Sequence, residues 1–205
     1  PTAARWMRLR DRPVIGWGLG IPHGGAISTL LHRNLLRHMQ AVIAYSESGA
    51  EQYIRAGMNP ARVFVAANAV TPRPSTPPIE RPASYADNTP QILFVGRLQP
   101  RKRVDTLLHA LAALPVETKP HLTIVGDGPD RARLEMLAWE IYPRTTFAGA
   151  RHGAELEPYF AAADLFILPG TGGLAVQQAM AHSLPVIVGK ADGTQGELVR
   201  PENGW

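Results

Sequence analysis

Short apolar runs alternate with segments of helical periodicity along the second half of the chain. The clearest case is 165–189, where an apolar run ends in Pro-Gly-Thr-Gly-Gly, an Ala-rich segment at helical spacing follows, and a second apolar run comes next. The same patterns predict strands at 91–95, 122–125, 145–148, 164–168 and 185–188, and helices at 104–114, 130–141, 155–163 and 174–182. Strands that alternate with helices form a parallel, doubly wound α/β sheet, whose ligands bind beyond the carboxyl ends of the strands.

The first 70 residues show a shorter version of this alternation. Patterns there predict strands at 14–17, 41–44 and 62–67, and helices at 28–40 and 46–56. The composition then changes, because 71–90 holds six prolines and almost no apolar periodicity. We therefore expect part of a first α/β domain at 1–70, a stiff linker at 71–90 and a second α/β domain at 91–205.

The composition limits the partners that the chain can have. Its 205 residues include no cysteine, which excludes a disulfide framework and a thiolate metal site and favours a reducing, cytoplasmic setting. No apolar run in the sequence approaches the roughly 18 residues that span a bilayer. The net charge of +4 favours a phosphate-bearing partner. The basic residues are dispersed and aromatic residues do not interleave with them, so we expect no nucleic-acid partner.

Part of the positive charge lies at the amino end of the chain. Arg5, Arg8 and Arg12 recur at helical spacing, with apolar residues between them. This pattern leaves two interpretations open: a solvated helix end, or a peripheral contact with an anionic membrane at its inner, cytoplasmic face. The solvated helix end is favoured, because the segment is short.

Two cations stand where a parallel sheet binds its ligands. Arg97 follows the first strand of the second domain directly, and Lys102 lies just before the next helix. A guanidinium fork and an ammonium at these positions can clamp a diphosphate, each charge-assisted bond contributing about 1.5–3 kcal/mol. A basic run at 101–103 would oppose the dipole of a helix that starts there, which is a further indication of a bound anion. The glycines ahead of the helix at Leu174 add backbone N–H groups that suit a phosphate.

Other nucleotide-binding motifs are absent from the sequence. A dinucleotide fold needs Gly-x-Gly-x-x-Gly, but Arg131 and His23 stand at the third glycine position of the two partial matches. The Walker loop needs Ser or Thr after Gly-Lys, and here Ala191 follows Lys190. No group of histidines and carboxylates has the spacing of metal ligands. We therefore expect neither a metal nor a cofactor.

Four segments, in order, resemble a known family of enzymes: ILFVGRLQPRKRVDTLLHAL, HLTIVGDGPDRARLEMLA, TTFAGARHGAELEPYFAAADLFILPG and GLAVQQAMAHSLPVIV. Together they are similar to the nucleotide-binding carboxy-terminal domain of the retaining GT-B glycosyltransferases of family 4, over 92–205. The segment 17–68 resembles the last part of the family's first domain, and the proline-rich stretch resembles the hinge that follows it. The resemblance implies a GT-B fold of two Rossmann-like parallel sheets with helices on both faces. It also implies that the first domain is partial and that the second lacks only its terminal helices.

The resemblance further implies a reaction. A nucleotide-diphosphate sugar, with UDP or GDP as the nucleotide, gives its sugar to an acceptor hydroxyl with retention of anomeric configuration and without a metal. Arg97 and Lys102 neutralise the leaving diphosphate, and His23 is the candidate acid–base group on the acceptor side. The acceptor would be a saccharide, a glycolipid or a small molecule, as in bacterial polysaccharide or glycolipid biosynthesis. The implied donor-binding residues are Gly96, Gly126, Asp127, Arg151, Gly170, Thr171, Gly172, Gly173, Leu174 and Gln178.

The sequence departs from the family pattern at three positions. The family often has two glutamates eight positions apart, one near the sugar and one at the nucleotide ribose, and Gly170 and Gln178 occupy these positions. A glycine that is common after the lysine is replaced by Arg103. Two other functions therefore stay open: a nucleotide-sugar binding module that transfers nothing, and another GT-B enzyme such as a nucleotide-sugar epimerase. A phosphorylase is disfavoured, because no lysine has a context that matches a pyridoxal phosphate site.

Overall fold

The computed structural model describes residues 2–21, 26–67, 74–75, 77, 80–81, 89–190 and 194–204. The chain divides into two compact units, Pro1–Asn68 and Ala69–Trp205. Most of the predicted linker lies outside the described residues, and so does His23. The residues of 71–90 that are described belong to no helix or strand.

Helices and strands alternate around a parallel sheet in the first unit. Its elements are α1 (Thr2–Arg8), β1 (Ile15–Gly18), α2 (Ala26–Leu36), β2 (Ala41–Ala44), α3 (Glu47–Arg55) and β3 (Val63–Val65). The strand order is β1-β2-β3, and both neighbouring pairs are parallel. The strand predicted at 62–67 is shorter in the structure: Arg62 belongs to the 3₁₀ turn Pro60–Arg62, and the strand ends at Val65. A small core that includes Val42, Ala44 and Tyr53 packs the sheet and helices together.

The second unit contains a five-stranded parallel sheet. Its elements are β4 (Gln91–Val95), α4 (Val104–Ala112), β5 (His121–Val125), α5 (Arg131–Ile141), β6 (Thr145–Gly149), α6 (Glu157–Ala162), β7 (Leu165–Leu168), α7 (Leu174–Ala181), β8 (Val186–Val188) and α8 (Thr194–Leu198). The strand order is β6-β5-β4-β7-β8. The predicted α/β alternation is confirmed, and in this unit the element ends differ by at most two residues. The short helix α8 is an addition that no sequence pattern indicated.

Helices cover both faces of this second sheet. The chain steps from β4 to β5 to β6 in one direction, and α4 packs against α5 as two right-handed crossovers require. The chain then reverses, so α6 and α7 lie on the opposite face, where α6 contacts β4 and α7 contacts β7 and β8. The core that these layers enclose contains fully buried aromatic and aliphatic side chains, among them Phe94, Leu108, Ile124, Phe160 and Phe166.

The basic run at 101–103 does not form the first turn of α4. Pro100–Lys102 is a 3₁₀ turn, Arg103 follows in the left-handed region at φ 53° and ψ 36°, and α4 begins only at Val104. The basic residues therefore precede the helix, as the predicted helix start at 104 implied, and Arg103 is its N-cap residue. The left-handed backbone also gives a physical reason for glycine at this position, since only glycine adopts it without steric cost.

Candidate functional site

The strand order creates one crevice at the carboxyl edge of the second sheet. From β4 the chain moves outward to β5 and β6, and it then returns to β7 and β8 on the other side of β4. The crossovers that leave β4 and β7 therefore run to opposite faces of the sheet, and the loops 96–103 and 169–173 flank this reversal point, where such sheets form a crevice. Ligands of doubly wound sheets bind at this reversal point.

Lys102 connects the two loops that flank the crevice. Its Nζ atom donates to the carbonyl oxygen of Thr171 at 2.5 Å. A Cβ atom at Gly96, just after β4, would lie 3.8 Å from Lys102 Cε, and a Cβ atom at Gly172 would lie 2.7 Å from Lys102 Nζ. The first distance is an ordinary van der Waals contact, whereas the second is too short, so Gly172 makes room for the end of the lysine side chain. The half-buried ammonium is held between the ends of β4 and β7.

Thr171 binds the first loop through a second residue as well. Its backbone N–H donates to the Arg101 carbonyl oxygen at 3.1 Å, and its hydroxyl accepts from Arg101 Nη1 at 2.9 Å. Arg101 was not among the predicted donor-binding residues. Its one sequence signal was its place in the basic run, which did not indicate a partner 70 positions away.

Gly170 lies at a close contact between the backbones of the two loops. A Cβ atom at this position would lie 2.3 Å from the Arg101 carbonyl oxygen and 2.6 Å from Lys102 Cα. The residue is buried, and its own carbonyl oxygen accepts from Gln195 Nε2 at 2.7 Å. A glutamate at this position, as the resemblance would suggest, therefore needs a different separation between the loops. Gly170 meets its neighbours through backbone atoms alone.

The loop after β5 packs against the loop after β4 in the same way. A Cβ atom at Gly126 would lie 2.0 Å from the Gly96 carbonyl oxygen, and Leu98 N donates to Asp127 O at 2.9 Å. The Asp127 carboxylate accepts from Gly128 N at 2.6 Å and from Arg131 Nη1 at 3.1 Å. These two donors, the Gly128 N–H foremost, hold the pKa of the Asp127 carboxyl below its usual range. The carboxylate therefore organises its own loop.

The other predicted site residues lie around this arrangement. Arg97 is exposed, and no hydrogen bond or ion pair of its side chain occurs within the part of the chain that the structure describes. Gly173 directly precedes α7, Leu174 is its first residue, and Gln178 is half-buried farther along this helix. Arg151 follows the outer strand β6, and its Nη1 atom donates to the carbonyl oxygen of the preceding residue at 2.8 Å. The structure thus brings Lys102, Thr171 and the glycines together but leaves Arg151 two strands from β4.

The positive charge of the chain lies mostly outside the unit that holds the crevice. Residues 69–205 contain 13 basic and 14 acidic residues, whereas 1–68 contain eight and three. The net charge of the whole chain therefore does not bear on the crevice, whose cationic character is local. Among the described residues, no three histidine or carboxylate side chains form a group that could hold a metal ion. Within the same residues, no helix has the length and apolar character needed to cross a membrane.

A doubly wound sheet with a cationic crevice at its reversal point defines a nucleotide-binding type of domain. Residues 89–205 match the family model described as glycosyl transferases group 1. Because this match covers more than half of the chain, the chain belongs to that family, as the sequence resemblance predicted.

Two curated mycobacterial proteins are similar to this chain in sequence. A protein of Mycobacterium tuberculosis named GDP-mannose-dependent alpha-mannosyltransferase is 35% identical over 208 residues, which cover 98% of this chain and 52% of that protein. A protein of Mycolicibacterium smegmatis with the same name is 40% identical over 118 residues, which cover 56% of this chain and 29% of that protein. The chain therefore spans about half the length of the first relative, and its match to the second covers 29% of that protein.

Solved structures confirm the GT-B fold. Anabaena Alr3699/HepE, crystallised in complex with UDP and glucose, matches with a TM-score of 0.76 and 24% identity over 99% of this chain and 60% of that chain. The sucrose-phosphate synthase of Thermosynechococcus elongatus matches with a TM-score of 0.74 and 24% identity over 97% of this chain and 56% of that chain. At this level of identity the likeness concerns the fold.

Proposed function

We propose that this chain contains the donor-binding part of a glycosyltransferase that moves a sugar from a nucleotide-diphosphate sugar to an acceptor hydroxyl. Transfer proceeds with retention of anomeric configuration and without a metal. The observation that carries the proposal is the Lys102 ammonium, which Thr171 O holds at 2.5 Å in the crevice between β4 and β7. Family membership supports the same conclusion.

The chemistry follows from the charges at this crevice. Departure of a nucleoside diphosphate leaves negative charge on its outer phosphate, and a fixed cation nearby stabilises that charge more in the transition state than in the ground state. Lys102 supplies a positioned point charge, and the exposed guanidinium of Arg97 supplies a planar pair of donors. The N–H groups at the start of α7, after Gly172 and Gly173, add a partial positive charge.

GDP-mannose is the donor that we propose. The two mycobacterial relatives described above are named for their dependence on GDP-mannose, and the first aligns with 98% of this chain. UDP is the competing nucleotide, because the HepE structure contains it. The acceptor and any membrane contact belong to the whole protein, and we propose an acceptor hydroxyl on a saccharide or glycolipid.

Calorimetric titration of GDP, UDP and ADP into the 205-residue chain tests the proposal. We expect GDP to bind most tightly, and Lys102→Ala and Arg97→Ala each to weaken it about tenfold or more, as the loss of a charge-assisted bond implies. Lys119→Ala is the matched control, because Lys119 precedes β5 at the opposite edge of the sheet. Equal affinities for wild type and Lys102→Ala would contradict the proposed role of the ammonium. Absence of binding to folded protein would contradict the donor site itself.

Two further measurements test the finer claims. Titration of GDP with EDTA and with added Mg²⁺ should give the same affinity, since we propose that side chains alone neutralise the diphosphate. For the whole protein with an acceptor, NMR of the first product should show the α-anomer when GDP-α-mannose is the donor. A metal-dependent affinity would contradict metal independence, and a β-linked product would contradict retention.

A binding module without transfer activity is the second candidate, and one observation favours it. Gly170 occupies the position of a family glutamate near the sugar, and its surroundings leave no room for a Cβ atom. The two candidates differ in the fate of the bound donor. A transferase releases GDP from GDP-mannose in the presence of an acceptor, whereas a binding module returns GDP-mannose intact.

A further inference from the structure

Gln195 is a buried polar residue that donates a hydrogen bond to the loop after β7, which belongs to the candidate donor site. Its relative exposure is 2%, and it lies in α8. Its Nε2 atom donates to Gly170 O at 2.7 Å and to Gly189 O at 3.3 Å. Both partners are carbonyl oxygens, which only accept, so the amide nitrogen must face them. The carboxamide therefore joins α8 to the loops that follow β7 and β8.

The bond to Gly170 O helps to fix the orientation of the whole peptide group between residues 170 and 171. The carbonyl end of this peptide accepts from Gln195, and its N–H end donates to Arg101 O at 3.1 Å. The group is thus held at both ends, by α8 on one side and by the loop after β4 on the other. The next carbonyl along the chain is Thr171 O, which accepts from Lys102 Nζ at 2.5 Å. A rotation of the held peptide would move that carbonyl.

The second atom of the carboxamide argues that the residue has a role beyond packing. Gln195 Oε1 is buried, and it has no hydrogen-bond partner within the described part of the chain. A buried amide oxygen without a partner lowers stability, and such groups in a folded protein call for a functional reason. A methionine would fill the same volume without this cost. The two bonds that its N–H groups donate to carbonyl oxygens supply such a reason.

We propose that Gln195 is a positioning residue of the donor site. It holds the peptide between Gly170 and Thr171, so that Thr171 O directs the Lys102 ammonium at the donor diphosphate. This inference rests on the proposed function, because it assigns Gln195 to the same site. Gln195 touches no ligand in this scheme and acts only through Lys102.

A double-mutant cycle on the 205-residue chain tests this coupling. GDP affinity is measured by calorimetry for wild type, Gln195→Met, Lys102→Ala and the double variant, each shown to be folded by circular dichroism. We expect Gln195→Met to weaken GDP binding about tenfold in the wild-type background, on the order of one charge-assisted bond. In the Lys102→Ala background the same change should have almost no effect, because the group through which it acts is gone.

The variant Gln195→Glu adds a second measurement, the pH dependence of GDP affinity, which should not change if Gln195 serves only to fill space. Near pH 8 its carboxylate would face two carbonyl oxygens and disrupt the arrangement, whereas near pH 5 the protonated acid donates one bond to Gly170 O. GDP affinity of this variant, divided by that of wild type at each pH, should therefore rise as the pH falls. Gln195→Met should show a flat ratio over the same range.

The outcomes separate the two proposals. If wild type binds neither GDP nor UDP, the proposed function fails, and the positioning role fails with it. If wild type binds GDP and Lys102→Ala weakens the binding, the donor site stands. An equal effect of Gln195→Met in both backgrounds, with a flat ratio for Gln195→Glu, would then overturn the positioning role alone.

Discussion

Replacement of Gly170 by alanine isolates the close approach of two loops, because it adds a single carbon atom and removes no functional group. The added Cβ would lie 2.3 Å from Arg101 O, 2.5 Å from Lys102 C and 2.6 Å from Lys102 Cα. All three are backbone atoms, which cannot rotate away as the end of a side chain does. The loop after β4 must therefore move outward.

Overpacking of this kind costs about 1–3 kcal/mol of the free energy of unfolding. For a domain of this size, each kcal/mol lowers the melting temperature by roughly 2–4 °C. We thus expect Gly170→Ala to melt several degrees below wild type in differential scanning calorimetry. GDP affinity should fall as well, because the atoms displaced belong to Arg101 and Lys102. Gly170→Glu should not gain activity, although it restores the residue of the family pattern.

Gly196 provides the matched control for this substitution. It lies in α8 of the same unit, and no atom lies within 4 Å of the position that its Cβ would occupy. Gly196→Ala should stabilise the unit by up to about 1 kcal/mol, the difference in helix propensity. If Gly170→Ala melts at the wild-type temperature and keeps the wild-type affinity for GDP, the loops are not held at the described separation, and the reasoning is refuted.

Two further predictions concern backbone strain and pH. Arg103→Gly removes the left-handed strain, which raises the free energy of unfolding, but adds entropy to the unfolded chain, which lowers it. In urea titrations we therefore expect no change or a gain of up to about 1 kcal/mol. Arg103→Ala keeps the strain, so equal results for the two variants would contradict this cause. Burial against Phe160, with ring centroids 5.1 Å apart, lowers the pKa of His182, so the folded state favours the neutral ring. Stability that depends on His182 is then full above its ordinary pKa near 6.5 and decreases as the pH falls below that value. His182→Phe, which keeps the stacking, should show a smaller loss of melting temperature between pH 7 and pH 5 than wild type, and equal losses would count against this assignment.

The α/β alternation was readable from the sequence because each strand of the second unit is a short apolar run and each helix has its own periodicity. The same local signals placed Arg97 and Lys102 after β4, at the edge where such sheets bind ligands. The bond from Lys102 to Thr171 was not readable, since it joins residues 69 positions apart and depends on how two loops meet. The burial of Gln195 and the close packing at Gly170 depend on the same contact between loops that are distant in sequence. Periodicity reports which face of an element is buried, and it carries no information on such distances.

The glycines around the crevice also determine what substitution experiments can reveal. A Cβ atom at Gly126, Gly128, Gly170 or Gly189 would lie 2.0, 2.2, 2.3 or 2.1 Å from a carbonyl oxygen of a neighbouring loop. In a saturation scan these positions should tolerate almost no replacement, although none of them carries a chemical group. Loss of activity there would report the spacing of loops and not a catalytic role. Attempts to change donor selectivity by redesign would for the same reason begin at side-chain positions such as Gln178, where a substitution leaves that spacing intact.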